Sequence, residues 1–260
     1  MAARIEVRGL DLAFPLYHGH ARSLKKRMIA SVAGRMGANG RMGEDSRHRV
    51  VVQALRDVNF SLTSGERLGL VGGNGAGKTT LLRSLAGIYE PVAGQVRIEG
   101  TINALLDASL GMHPELTGRE NIRLRGLMQG LGGAAIARLE EDVREFTELG
   151  DFLELPLRTY SYGMMVRLGF GMATAIRPQV LLMDEWLLAG DASFMEKALA
   201  RIGDLVRSAE ILVLSTHAVE IVRAWCTRLI WLDQGRVRAD GGVGEVLDAY
   251  LGHKPPPAPG

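Results

Sequence analysis

The stretch Gly72-Gly73-Asn74-Gly75-Ala76-Gly77-Lys78-Thr79-Thr80 constrains this chain more than any other. It has the spacing G-x-x-x-x-G-K-T, follows the apolar run Leu68 to Val71, and opens into a helical pattern at Leu81, Leu82 and Leu85. Strand, glycine turn and helix in that order predict a phosphate-binding loop. Glycines let the backbone turn tightly and aim N–H groups inward, which makes an anion nest at a helix N-terminus. In such a nest Lys78 would reach the terminal phosphates, and the Thr79 hydroxyl would ligate Mg²⁺. The motif therefore reads as a site for ATP or GTP.

With 260 residues the chain can bury a full core, as one large α/β domain or one domain with a small subdomain. Lys and Arg number 31 against 29 Asp and Glu, a net charge of +2. That balance gives no reason to expect a nucleic-acid partner. A single cysteine, Cys226, excludes an internal disulfide framework and suits a reducing cytoplasm. Arg4, Glu6 and Arg8 interrupt the early apolar residues, so no signal peptide is expected, and no apolar run is long enough to cross a bilayer. The expectation is a protein that is soluble, or peripheral to something that is not.

Residues 4–14 read as an opening strand. Residues 18–49 differ: they hold Arg22, Lys25, Lys26, Arg27, Arg35, Arg41, Arg47 and Arg49 against only Glu44 and Asp45. Leu24, Met28, Ile29 and Val32 fit one face of a short helix there. This basic insertion reads either as a solvated loop or as a contact with an anionic membrane surface or a membrane partner. A second pair of strands brackets the turn Thr63-Ser64-Gly65-Glu66, and Gln95 to Ile98 and Thr101 to Leu106 resemble strands. From Thr117, whose capping box with Glu120 starts a helix, the pattern is helical to about residue 150, split near Gly130 to Gly133. Strands return at Val180 to Met183, Ile211 to Leu214 and Leu229 to Leu232, the last followed by the turn Asp233-Gln234-Gly235. The end of the chain is proline-rich and is expected to be disordered.

Three further segments carry chemistry. Val180 to Glu185 is a buried strand ending in two acids. Asp184 would hold Mg²⁺ through its water shell, and Glu185 would polarise an attacking water. His217 follows the apolar strand Ile211 to Thr216 and would contact the γ-phosphate, if it is not merely structural. Tyr160-Ser161-Tyr162-Gly163-Met164-Met165-Val166-Arg167 precedes a helical run to Ile176, a second anion site at a helix start. One nucleotide is already served by the first loop, so this second site matters most if it faces another subunit.

In order and over nearly the whole chain, these segments resemble the nucleotide-binding subunits of ABC transporters. Gly72 to Thr80 resembles Walker A, Val180 to Asp184 Walker B, Glu185 the catalytic carboxylate, Gly190-Asp191 the D-loop and His217 the switch histidine. Ser161 to Met164 matches the signature in part: Tyr162 stands where glycine is usual and Met164 where glutamine is usual. A narrower resemblance is to the ATPase subunits of O-antigen, capsule and teichoic-acid exporters. These carry Y-S-S-G-M, against Tyr160-Ser161-Tyr162-Gly163-Met164 here. They also carry H-P-E-L-T-G-R-E-N, matched by His113 to Asn121, and L-A-V-G-D-A-x-F, resembled by Leu188 to Phe194. The glutamine that links ATP to the membrane subunit falls at Ala108, beside Asp107, a departure shared with that subfamily. An adenine-stacking aromatic would match Phe14, with Tyr17 as the competing candidate.

The resemblance implies an α/β P-loop NTPase (RecA-like) core with a β-subdomain and an inserted α-helical subdomain. The nucleotide-binding domain would span 1–251, with the helical subdomain at about 112–165, the basic insertion at about 18–49, and a disordered tail at 252–260. It implies hydrolysis of ATP with Mg²⁺ in a head-to-tail homodimer holding two ATP. Gly72, Gly73, Asn74, Gly75, Ala76, Gly77, Lys78, Thr79, Thr80, Asp184, Glu185 and His217 of one chain would face Ser161, Gly163, Met164 and Asp191 of the other. Two copies would drive two integral-membrane permease subunits from the cytoplasmic face of the inner membrane, docking around Leu110 to Glu115. The implied cargo is a lipid-linked polysaccharide. Another exporter, for drugs or lipids, is the alternative, and an ABC ATPase acting on DNA or ribosomes is a weaker one, since the chain has neither long coiled coils nor tandem ATPase units.

Overall fold

The structure is a computed structural model that describes residues 2–15, 42–44, 50–106, 111–184 and 192–253. Most of the basic insertion, Tyr17, Asp107 to Leu110, Glu185 to Asp191 and the tail from residue 254 lie outside the described residues. The chain divides into two compact units, Met1–Gly100 with Val213–Gly260, and Thr101–Leu212.

In the first unit, β1 (Arg4–Pro15) pairs antiparallel with β3 (Val50–Thr63) and β5 (Ala93–Glu99), and β2 (Met42–Glu44) adds to β3. The period-2 pattern sets the faces. Ile5 and Val7, opposite Leu62 and Phe60, are buried, while Arg4 and Arg8 face solvent beside Glu6. The second sheet of this unit runs in the order β10 (Arg236–Gly242), β9 (Arg228–Asp233), β4 (Arg67–Val71), β8 (Ile211–Ser215). β4 and β9 are parallel, and β8 and β9 are near-continuous apolar runs, as strands covered on both faces must be. The strands flanking the Thr63–Glu66 turn are both present, but they do not pair with each other: β3 belongs to the antiparallel sheet, and β4 to the mixed sheet in which it runs parallel to β9 and β10 runs antiparallel. The turn itself is tied by the Glu66 carboxylate, which accepts from the Thr63 N–H (2.7 Å) and hydroxyl (2.9 Å). After β4 comes α1 (Lys78–Leu85); α6 (Val219–Trp225) and α7 (Val243–His253) complete the unit. α7 continues through Gly252 and His253, two residues past the expected start of the tail, and Tyr250 and His253 pack edge-on to Trp231.

In the second unit β6 (Ile102–Leu105) pairs in parallel with β7 (Val180–Asp184). Between them lie α2 (Gly118–Met128), α3 (Gly133–Thr147) and α4 (Tyr162–Thr174), and after β7 comes α5 (Ala192–Ser208). Thr117 and Glu120 form the expected capping box. Ile122, Leu139, Val143, Leu149, Leu153, Leu157, Leu168 and Met172 make one apolar cluster between the helices. Phe146, Phe170 and Phe194 meet with ring centroids 5.5 to 5.9 Å apart.

The helices are also joined by charge. Glu140 of α3 accepts from Arg119 (3.1 Å) and Arg123 (2.5 Å) of α2. Burial pushes the Glu140 carboxyl up, but the two guanidiniums outweigh it and hold the group below the usual glutamate range. The folded chain then binds this proton less readily than the unfolded chain. The stabilisation is whole above roughly pH 4.3 and is lost as pH falls through the lower folded value. Glu140→Gln is therefore expected to flatten the acid limb of stability, from roughly pH 5 downward. Thermal unfolding followed across that range checks it; parallel curves for both proteins would contradict it.

Candidate nucleotide site

The phosphate loop is shaped by backbone geometry and by neighbours far away in sequence. β4 ends at Val71, and α1 begins at Lys78 with Gly77 as its N-cap in the left-handed conformation (φ 112). Gly77 has no side chain to cap the helix and the first turn holds no acid, so the N–H groups of that turn are presented to an anion. Within the loop Ala76 N donates to Gly73 O (3.0 Å), and Leu81 N donates to Gly77 O (2.8 Å). Lys78 is only 7% exposed, and its ammonium donates to the carbonyls of Gly72 (2.8 Å) and Gly73 (3.3 Å). The charge is thereby held in the mouth of the loop. Gly73, Asn74, Gly75 and Thr79 are exposed, Thr80 is half-buried and Ala76 is buried.

Gly235 braces this loop, a role that sequence reasoning missed. It lies in the turn between β9 and β10, where its N–H donates to Ala76 O (2.9 Å) and its carbonyl accepts from Arg56 N of β3 (2.8 Å). The turn was legible as Asp233-Gln234-Gly235, but no local signal tells that its glycine lies between the loop and β3. The same unit brings His217 to the loop: His217, Thr216, Val71 and Gly72 line one small pocket, closed by Val219, Val222, Leu247, Tyr250 and Leu251 of α6 and α7. Phe14 is half-buried on β1 opposite Val52, with its ring edge-on to Tyr89 at 5.1 Å. Arg83 donates to the Tyr89 hydroxyl (3.0 Å), which fixes that ring in turn.

In the second unit Asp184 ends β7, half-buried after four buried residues. Ser161 is the N-cap of α4, its hydroxyl accepting from Met164 N at 3.3 Å, and a Cβ at Gly163 would stand 4.0 Å from that hydroxyl oxygen. Leading into it, Tyr160 donates its hydroxyl to Phe152 O (2.6 Å), and burial pushes that hydroxyl up to about 12. The His113–Asn121 segment is closed by its own last residue. Asn121, 2% exposed, accepts from His113 N (2.7 Å) and donates to the carbonyls of His113, Leu116 and Thr117 (2.9 to 3.2 Å). Leu157 N and Arg158 N then donate to Leu116 O and Pro114 O, tying the segment to the stretch before Ser161. Glu185, Gly190 and Asp191 lie outside the described residues.

A loop of this build, between a buried parallel strand and a helix, surrounds a phosphate with N–H groups and one ammonium, and it places the chain among the phosphate-loop nucleotide hydrolases. Comparison with known proteins narrows the class. The family profile described as ABC transporter matches residues 55–188. The O-antigen export system ATP-binding protein RfbE of Yersinia enterocolitica is 40% identical over 230 residues, 88% of this chain and 94% of that protein. RfbB of Myxococcus xanthus, of the same description, is 42% identical over 79% of this chain, and the teichoic acids export ATP-binding protein TagH of Lactococcus lactis is 35% identical over 87%. The match spans about half the length of these two longer relatives, 47% and 48%. Among solved structures, one described as an ATP binding subunit of an ABC transporter aligns over 95% of this chain and 93% of its own, with a TM-score of 0.66 at 23% identity. The chain belongs to the ABC transporter family, as one of its ATP-binding cassette ATPases.

Proposed function

We propose that this ATPase powers export of a lipid-linked polysaccharide, of the O-antigen, capsule or teichoic-acid kind, through a separate permease. The observation that carries this reading is the match to RfbE over nearly the whole of both chains, and the names of RfbB and TagH agree with it. The permease would dock around Leu110 to Glu115, where Leu110 lies outside the described residues and His113 is held by Asn121. No helix among the described residues is long and apolar enough to cross a membrane, which fits work through a permease at the cytoplasmic face of the inner membrane.

The chemistry follows from the residues. The loop N–H groups and Lys78 hold the β- and γ-phosphates. Thr79 and Asp184 offer hard oxygen donors of the kind Mg²⁺ prefers, and no group of three or more His, Cys, Asp or Glu that could hold a metal ion stands among the described residues. A shared shell with phosphate oxygens and water therefore suits this donor set. When bound, the ion neutralises charge that builds on the phosphate oxygens. Glu185 takes a proton from the attacking water, whose oxygen bonds to the γ-phosphorus as the bond to ADP breaks. His217 orients that water at the phosphate. Ser161, Gly163, Met164 and Asp191 act on the ATP held by a second copy, and Phe14 stacks on adenine. Two copies with two ATP between them drive two permease subunits.

Deletion of the gene in its native host tests the cargo. Lipid-linked glycan is expected to accumulate inside the cell while the matching polymer disappears from the surface. An unchanged surface without accumulation would move the chain to an exporter of drugs or lipids.

A further inference from the structure

Trp231 of β9 stands in register beside Val71, the last residue of β4 before the phosphate loop. A Cβ at Gly72 would come within 2.3 Å of Leu232 O, so β9 and the start of the loop meet closely. The Trp231 ring is buried under side chains from two other elements. Tyr250 and His253 of α7 pack edge-on to it, with centroids 5.8 and 5.3 Å away, and the Arg238 guanidinium of β10 lies 5.4 Å from its centroid. The last turns of α7 are thus docked on the strand next to the loop. Helical spacing sets which residues face inward: Val246 and Leu247 are buried, and Tyr250 and Leu251 follow four residues later on the same face.

The connection that carries His217 is short. It joins β8 to α6, a helix of seven residues with no side-chain cap, and Ala218 N donates to Thr216 Oγ1 across it (3.2 Å). A helix of that length has little rigidity of its own, so what packs against it decides where its first residues stand. Here the packing is on one small pocket. Gly72, Thr216 and His217 line it together with Val222 of α6, and Tyr250 and Leu251 of α7 close it. The ring docked on Trp231 therefore shares a pocket with the histidine and with the first glycine of the phosphate loop.

We propose that Tyr250 is a positioning residue for ATP hydrolysis: its ring, held on Trp231, is the wall that keeps the His217 side chain aimed at the γ-phosphate and its attacking water. The inference rests on the role of His217 proposed above and extends it to α7, which lies outside every ATPase motif of the chain. Without the ring the imidazole gains rotamers, and it spends less time in the orientation the reaction needs. The loop N–H groups and Lys78, which hold ATP, are left as they were.

The experiment measures phosphate release by the full chain over a range of ATP concentrations with Mg²⁺. Tyr250→Ala is expected to lower kcat about fivefold to tenfold and to change KM for ATP by less than about twofold. Tyr250→Phe keeps the ring and should recover most of the rate. Tyr250→Ala is then repeated in a His217→Ala chain, where it should slow the residual rate by less than about twofold, because nothing is left to position. Damage to the fold alone would slow both backgrounds equally. Tyr250→Leu, which keeps apolar bulk without the flat ring, serves in both backgrounds if the alanine variant is unfolded at the assay temperature. Asp248→Ala, on the outer side of α7 with its side chain 79% exposed, is the control and should keep the parent rate. Equal slowing in both backgrounds, or a full rate for Tyr250→Ala, overturns the inference and leaves the role of His217 standing. A His217→Ala chain that hydrolyses ATP at the parent rate removes that role and the inference with it.

Discussion

Lys78→Ala is expected to lower ATP hydrolysis by about a hundredfold to a thousandfold, the cost typical of removing one preorganised donor from developing negative charge. The argument rests on where the ammonium sits. It is 7% exposed and already positioned by the Gly72 and Gly73 carbonyls, so it meets a phosphate without reorganising. At low local dielectric such a charge acts on the transition state far more strongly than an exposed lysine would. Folding should suffer as well, by about 1–3 kcal/mol, because the Gly72 carbonyl freed by the change is buried and the Gly73 bond is part-buried. Lys78→Arg should not rescue the rate, since the wider planar guanidinium does not fit a cradle formed around a point charge. Phosphate release under saturating ATP, with unfolding temperature as the control, measures both effects. Hydrolysis within about threefold of the parent would remove Lys78 from the reaction.

Gly235→Ala should do comparable damage from outside the motif. Gly235 is in the left-handed region (φ 79), and an added Cβ would stand 2.4 Å from Ala54 O and 3.0 Å from the Ala54 carbonyl carbon. Those atoms are backbone of β3, so no side-chain rotation relieves the clash. The turn must move away, stretching the bonds from Arg56 N and to Ala76 O that brace the loop. Strain plus two weakened hydrogen bonds should cost about 3 kcal/mol, roughly 6–12 °C in unfolding temperature for a domain of this size. Affinity for ATP should fall by about tenfold, although Gly235 is not one of the loop's own residues. The neighbouring Gln234→Gly is the control. Gln234 is also left-handed (φ 47) and exposed, so glycine there should be tolerated or mildly stabilising. Equal behaviour of the two variants would remove the brace from the account of the site.

The contrast between Lys78 and Gly235 marks the limit of what could be read without the fold. Lys78 was identified from eight contiguous residues, because strand, glycine turn and helix start are local events with local requirements. Gly235 was visible only as a turn. The same limit separates Tyr160 from Tyr162: the sequence presents two similar rings around Ser161, and only packing anchors one and exposes the other. The capping box at Thr117 could be read because both partners lie within one turn of helix. Asn121 could not, because its four hydrogen bonds require the preceding segment to curl back over it.

By itself, then, the sequence determined the strand, glycine turn and helix start of the phosphate loop, the apolar strands at Val180, Ile211 and Leu229, and the capping box at Thr117. Each is set by steric and hydrogen-bonding preferences acting over a few residues. Only the tertiary structure decided that β3 and β4 part into different sheets after a tight turn, that a glycine near residue 235 braces a loop near residue 76, and that His217 shares a pocket with Gly72. Those outcomes depend on which apolar faces cover one another and which distant N–H meets which carbonyl. Such free energies belong to pairs of segments far apart in the chain, and no local pattern records them.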